Sequence, residues 1–266
     1  MKTPIAYYGG KQQLASRIIG LIPEHRIYVE PFFGGGAVFW AKEPSEVEIV
    51  NDTNGELINF YRVLRQNADA LIKEIDATLN SRETYRHAEV VLRNADMFDE
   101  VKRAWAVWVV SNMAYCHKWF AGWGYQLSVR QAIANARDRI GGGGTASPYC
   151  YQERLGAVQI ECGDAVSVIT RTDRPETFFY LDPPYPGTDQ GHYDGYTQED
   201  FERLLDVLDG IRGKFLLSSF RNRALKEHAD ANGWRMIEIR MPSSATTGQK
   251  QRLKVEVLTA NYTIDS

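Results

Sequence analysis

Apolar residues along this chain follow two alternating periods. Short unbroken runs at residues 26–31, 47–50, 157–162, 177–181 and 214–218 read as buried strands, and residues 234–240 and 254–261 read as a closing antiparallel pair. Between them the apolar positions recur at helical spacing. Leu14, Ile18, Ile19 and Ile22 mark one such stripe, Ala37 to Trp40 begin another, and residues 198–208 and 223–232 carry two more. From residue 56 to about 113 the period is helical throughout, with Leu57, Phe60, Val63 and Leu64, then Leu71, Ile75 and Leu79, then Trp105, Trp108 and Val109 as core-facing stripes. About seven strands with interposed helices predict one α/β domain, interrupted by an insert.

Where the strands end, the residue types change the picture. The run 177–181 stops at Asp182-Pro183-Pro184-Tyr185, because neither proline has an N–H for a sheet ladder and each fixes its own φ. A carboxylate, a stiff turn and an aromatic ring therefore stand at the carboxyl end of a strand, where open α/β sheets bind ligands. The Asp182 side chain and the Pro183 carbonyl offer two acceptors to one planar amine, and Tyr185 offers a flat face beside it. The alternative at this point is a strand-terminating turn and nothing more.

The strand at 26–31 runs into Phe32-Phe33-Gly34-Gly35-Gly36 and then a helix, the opening of a nucleotide-binding unit. A dinucleotide fingerprint would need glycine where Phe39 stands, and no Walker lysine is present, so NAD and ATP are both poorly served. The second strand ends at Asn51-Asp52, where an acid would hold ribose hydroxyls. Glycine loop plus acidic tip, without the third glycine, predicts an S-adenosylmethionine pocket. Asp164, after the third strand, is either an acceptor for the adenine amine of that cofactor or a helix cap. Near the N-terminus, Tyr7-Tyr8-Gly9-Gly10-Lys11 places a glycine turn before a helix, a site for an anionic group or a plain helix start.

Composition narrows the class. With 266 residues, 44% hydrophobic and 24% charged, the chain is long enough for a sizeable core. The net charge of −3 means that any nucleic acid must meet a local basic surface. Residues 111–154 supply one: Lys118, Arg130, Arg137, Arg139 and Arg154 outnumber Asp138 and Glu153, interleaved with Tyr115, Trp119, Phe120, Trp123 and Tyr125. Such side chains suit phosphate contact and stacking, although packing of the tryptophans on the helices explains them equally well. Cys116, Cys150 and Cys162 lack C-x-x-C spacing and fit reduced thiols, the histidines show no H-x-x-x-H pairing for a metal, and no run approaches ~20 apolar residues. A cytoplasmic protein is expected.

Taken together, Tyr7-Tyr8-Gly9-Gly10-Lys11, Glu30-Pro31-Phe32-Phe33-Gly34-Gly35-Gly36, Asn51-Asp52 and Asp182-Pro183-Pro184-Tyr185 resemble, in order, the motifs of the Dam-like DNA adenine amino-methyltransferases. The resemblance covers nearly the whole chain. It implies a Rossmann-like seven-stranded methyltransferase sheet, with residues 1–55 and 155–266 as the catalytic part and 56–154 as a mostly helical target-recognition insert. It implies that Tyr7, Lys11, Phe33, Gly34, Gly36 and Asp52 line the S-adenosylmethionine site, that Asp182 reaches both cofactor and target, and that Tyr185 lies on the target base. Lys118, Trp119, Arg130, Arg137 and Arg139 would then meet double-stranded DNA. A monomer, bacterial or phage-encoded and associated with the nucleoid, is the expectation that follows. Position 7 is Tyr where the best-known member has Trp, and the insert does not align with the family's, so the recognised DNA sequence stays open. Methylation of RNA or of another amine, and DNA binding without catalysis, are the competing readings.

Overall fold

The computed structural model describes residues 1–124, 137, 140, 148–187, 195–242 and 253–264. Its strands are β1 (Ile27–Glu30), β2 (Val47–Asn51), β3 (Gln159–Glu161), β4 (Thr177–Leu181), β5 (Lys214–Ser219), β6 (Arg235–Pro242) and β7 (Leu253–Ala260). They form one seven-stranded sheet in the order β3-β2-β1-β4-β5-β7-β6. Pairing is parallel except at β7, which runs antiparallel to both β5 and β6. This is the expected Rossmann-like seven-stranded sheet. The chain starts in the middle at β1, builds outward through β2 and β3, and returns to place β4 on the other side of β1. That reversal creates a crevice at the carboxyl ends of β1 and β4.

Because side chains alternate across a strand, each central strand feeds two apolar layers. Tyr28, Val50, Phe178, Tyr180 and Leu216 face one layer. Val29, Ile49, Phe179, Leu181, Phe215 and Leu217 face the other. Burial of each large strand side chain contributes about 1.5–3 kcal/mol. The second layer is closed by α8 (Ala165–Thr172), α9 (Gln198–Asp209) and α10 (Arg223–Asn232), through Val168, Ile169, Phe201, Leu204, Leu208 and Leu225. The first is closed by α1 (Ala15–Gly20), α2 (Ala37–Ala41), α3 (Gly55–Gln66), α4 (Ala68–Asp76), α5 (Arg82–Arg93), α6 (Glu100–Met113) and α7 (Pro148–Gly156). Leu57, Phe60 and Tyr61 of α3 pack in the same cluster as Tyr28 and Val50, so the helices after β2 share the sheet's core.

The helical stretch from 56 to 113 divides into separate helices, each start fixed by a local side-chain cap or turn. Asn54, Ser81, Asp99 and Asn222 each accept a backbone N–H from the first turn of α3, α5, α6 and α10. Thr197 and Asp200 form a reciprocal capping box on α9.

Candidate active site

The parallel register sets the tips of β1, β2 and β4 side by side: Val29 pairs with both Ile49 and Phe179. Asp52 and Asp182, the first residues past their strands, therefore end up on one rim. Asn51 ties the rim together. Its side chain donates to the Pro31 carbonyl at 2.9 Å and the Gly163 carbonyl at 3.0 Å, and accepts from Gly163 N at 2.9 Å.

At the β4 tip, Asp182 is one member of a buried polar cluster. The turn at residues 7–10, closed by Gly10 N to Tyr7 O at 3.1 Å with Gly9 at φ 76°, delivers Lys11 inward. Lys11 Nζ donates to Asp182 Oδ1 at 2.7 Å and lies 3.4 Å from Glu256 Oε1. The Tyr185 hydroxyl lies within hydrogen-bond reach of two acceptors for its one proton, Asp182 Oδ1 at 3.2 Å and Glu256 Oε1, while its ring centroid is 4.3 Å from that of Phe220. Ser218 Oγ donates to Glu256 Oε1 at 2.6 Å. Among the described residues both donors to Asp182 meet Oδ1, which leaves Oδ2 to face an incoming donor. Asp182 is also the accessible carboxylate, with a side chain 19% exposed against 1% for Glu256. Burial raises the Asp182 pKa, opposed by the Lys11 ammonium and reinforced by Glu256. Burial disfavours the Lys11 ammonium, yet the facing carboxylates of Asp182 and Glu256 outweigh it and its pKa is raised.

At the β2 tip, Asp52 Oδ2 accepts from Gly34 N at 2.8 Å and Oδ1 from Asn54 N at 2.9 Å. Burial pushes its pKa up to about 6 against these backbone donors. Gly36 takes a left-handed φ of 64°, and a Cβ there would stand 2.6 Å from the Phe33 ring. A Cβ on Gly35 would stand 2.9 Å from Tyr7 Cβ. The protein's own side chains thus fill the space a Cβ would need at Gly35 and Gly36.

Between the two acids lies a hollow of about 270 Å³. Asp52, Asp164, Asp182, Pro31, Phe32, Pro184, Tyr196 and Arg203 line it. Asp164, expected here, caps α8 through Ser167 N at 2.9 Å and is gripped by Arg203 at 2.8 Å and 3.1 Å, so of the two roles open to it the helix cap is the one observed. Phe33, also expected in the cofactor site, is instead 2% exposed and packed against Phe39 and Tyr61. Phe32 faces the hollow in its place, because neighbouring residues leave the strand on opposite sides. Tyr7 is not among the lining residues; it packs on the glycine loop and meets Trp119 edge-on at 6.1 Å. Lys11 sits on Asp182 at the rim rather than among the residues lining the hollow.

The residues expected to meet DNA divide. Trp119, expected to meet DNA, is 6% exposed, and its Nε1 donates to Ser111 Oγ at 2.9 Å. The indole is part of the core, since the cluster of apolar helices offers it more burial than a phosphate surface would. Arg154 is likewise internal, bridged to Glu48 beside Lys42. Lys118 holds its Nζ 4.9 Å above the Tyr8 ring, and Arg137 is half-buried. Arg130 and Arg139 lie outside the described residues. The loop carrying Lys118 is strained: Cys116, His117 and Phe120 adopt φ of 53°, 58° and 65°, and Tyr115 and Phe120 stay exposed. Sequence reasoning passed over Glu256, Ser218, Phe32 and Arg203. For Glu256 there was a signal, a lone acid inside the apolar run of β7, which a central strand cannot bury unpartnered.

A parallel sheet reversed beside β1, a hollow lined by two acids at strand tips, and a stiff Pro-Pro turn fit an amino-group methyltransferase. The family model for D12 class N6 adenine-specific DNA methyltransferases matches residues 7–226, and the chain belongs to that family. It is 26% identical to the Type II methyltransferase M1.LlaDCHI of Lactococcus lactis subsp. cremoris, over 96% of this chain and 93% of that protein. It is 28% identical to the Type II methyltransferase M.MjaIII of Methanocaldococcus jannaschii, over 84% and 85%. With the DNA N-6-adenine-methyltransferase of Escherichia phage P1 it shares 29% identity over 75% of this chain and 27% of that protein. The chain is therefore an adenine-specific DNA methyltransferase, with S-adenosylmethionine as its methyl donor. Among the described residues no helix is long and apolar enough to cross a membrane.

Proposed function

We propose that this protein acts as a monomer on double-stranded DNA, and that Asp182 and the Pro183 carbonyl receive the N6 amine of an adenine flipped out of the helix. The observation that carries the proposal is the placement of Asp182, partly exposed at the β4 tip and sharing one hollow with Asp52. The residues present fit the cofactor: Asp52 is a charged acceptor for ribose hydroxyls, Phe32 a flat apolar wall, and Asp182 a carboxylate for the cationic end. When bound, S-adenosylmethionine supplies an electrophilic methyl group on a sulfonium.

The exocyclic amine of adenine is a weak nucleophile because its lone pair is delocalised into the ring. Two fixed acceptors for its hydrogens favour a localised pair, and most of the acceleration comes from orientation and electrostatics. Lys11 and Tyr185 fix one oxygen of Asp182, and so fix the direction of the other. Extracting the base costs a few kcal/mol, which stacking of about 1–3 kcal/mol on Tyr185 would offset. Lys118 and Arg137 are the described members of the proposed phosphate-contacting set.

Incubation with tritiated cofactor and duplex DNA, single-stranded DNA or RNA tests this directly, with label expected as N6-methyladenine in the duplex. Label in RNA alone would overturn it. Asp182→Ala is expected to abolish transfer while DNA binding persists, and a variant that turns over normally would remove Asp182 from the mechanism.

A further inference from the structure

Glu256 belongs to no motif of the chain, yet it is the most deeply buried acid at the site, 1% exposed in the interior of β7. A carboxylate so placed survives only with partners. Its Oε1 takes the hydroxyls of Ser218 and Tyr185 and faces the Lys11 ammonium at 3.4 Å. Two of those three donors are shared, for Lys11 and Tyr185 also reach Asp182 Oδ1, at 2.7 Å and 3.2 Å. Each shared donor stands between two acceptors, and one ammonium faces two carboxylates.

We propose that Glu256 is a positioning residue for methyl transfer, a second acceptor that restrains Lys11 and Tyr185 so that Asp182 remains able to accept from the target amine. This rests on the reading of Asp182 as the amine's acceptor. Without the Glu256 charge the Lys11 ammonium is drawn more tightly onto Asp182, and a charged ammonium outcompetes a neutral N–H for a carboxylate. With it, the cluster keeps one negative charge in excess, which Asp182 directs at the substrate.

The test is Glu256→Gln, which preserves shape and removes the charge. Turnover is measured against pH at saturating cofactor. We expect kcat to fall at least about tenfold, with the KM for S-adenosylmethionine changed less than about twofold. The acid limb of log kcat should move to lower pH, since the Glu256 charge is one of the groups raising Asp182. The other groups acting on Asp182, namely Lys11, Tyr185, Glu30 and Tyr180, are unchanged in the variant. Glu256→Asp, which keeps the charge, should return the limb toward its wild-type position. A limb that stays in place, whether or not activity drops, refutes the proposal. Asp182→Ala separates the two claims: an active Asp182→Ala variant sinks the reading of the site itself, whereas an inactive one beside an unmoved Glu256→Gln limb sinks only the role of Glu256. If Glu256→Gln does not fold, the comparison is made on a Lys11→Met background. There the single variant leaves the two carboxylates without the Lys11 ammonium between them, and adding Glu256→Gln should lower the acid limb; no lowering overturns the proposal.

Discussion

Replacing Asp52 by Asn separates cofactor binding from folding. In the folded protein the Asp52 carboxyl is 3% exposed and its pKa rises from 3.8 to about 6. For an acid, a raised folded pKa means that the fold disfavours the charged form. The cost is absent below the unfolded value, grows between 3.8 and about 6, and is full above that, reaching about 3 kcal/mol. Asparagine removes this cost but turns an amino group toward either Gly34 N or Asn54 N, which loses a hydrogen bond at about 1–3 kcal/mol. The two nearly cancel, so Tm should stay within about 4 °C of wild type. Binding has no such compensation. A charged acceptor contributes about 1.5–3 kcal/mol per hydrogen bond, and losing the charge should weaken S-adenosylmethionine by about 2 kcal/mol, roughly thirtyfold. Titration calorimetry from pH 7.5 to 5 checks both halves. Wild-type Kd should rise about tenfold at pH 5 as Asp52 takes up its proton. The variant should respond less. Equal affinities for wild type and variant at pH 7.5, or a wild-type Kd flat with pH, would refute Asp52 as the hydroxyl acceptor.

Three further outcomes follow from the geometry. Gly36→Ala should cost about 2–5 kcal/mol, from a left-handed φ and a clash with the Phe33 ring, and thermal melting should register it; an unchanged Tm would contradict the close approach. Glu48→Gln leaves the buried cations of Lys42 and Arg154 facing one another and should lose about 3–5 kcal/mol at neutral pH in denaturant unfolding. Because burial is outweighed by Arg154 and Lys42, the Glu48 pKa is lowered, so wild-type stability from this group is present above the ordinary carboxylate range and disappears as acid titrates it; the gap between variant and wild type should close there. Lys118→Ala should lower the slope of log DNA affinity against log salt by roughly one unit with cofactor affinity intact, and an unaltered slope would remove Lys118 from the phosphate contacts.

The sequence by itself determined what local chemistry determines. The apolar run 177–181 had to stop at two prolines, and the glycine loop had to follow β1, because each depends only on backbone geometry and on partners a few residues away. Which side chain faces which cavity was decided elsewhere. Phe32 and Phe33 are indistinguishable by type, and only the path of the chain out of β1 sends one to the hollow and the other to the core. Trp119 has the composition of a nucleic-acid contact, but the packing of α6 and Tyr7 around it made it internal. Glu256 meets Tyr185 across 71 residues of chain, through a strand whose antiparallel insertion beside β5 no local pattern specifies. Hydrogen bonds and burial at the site depend on distances in space, and those are fixed only when the sheet order and register are.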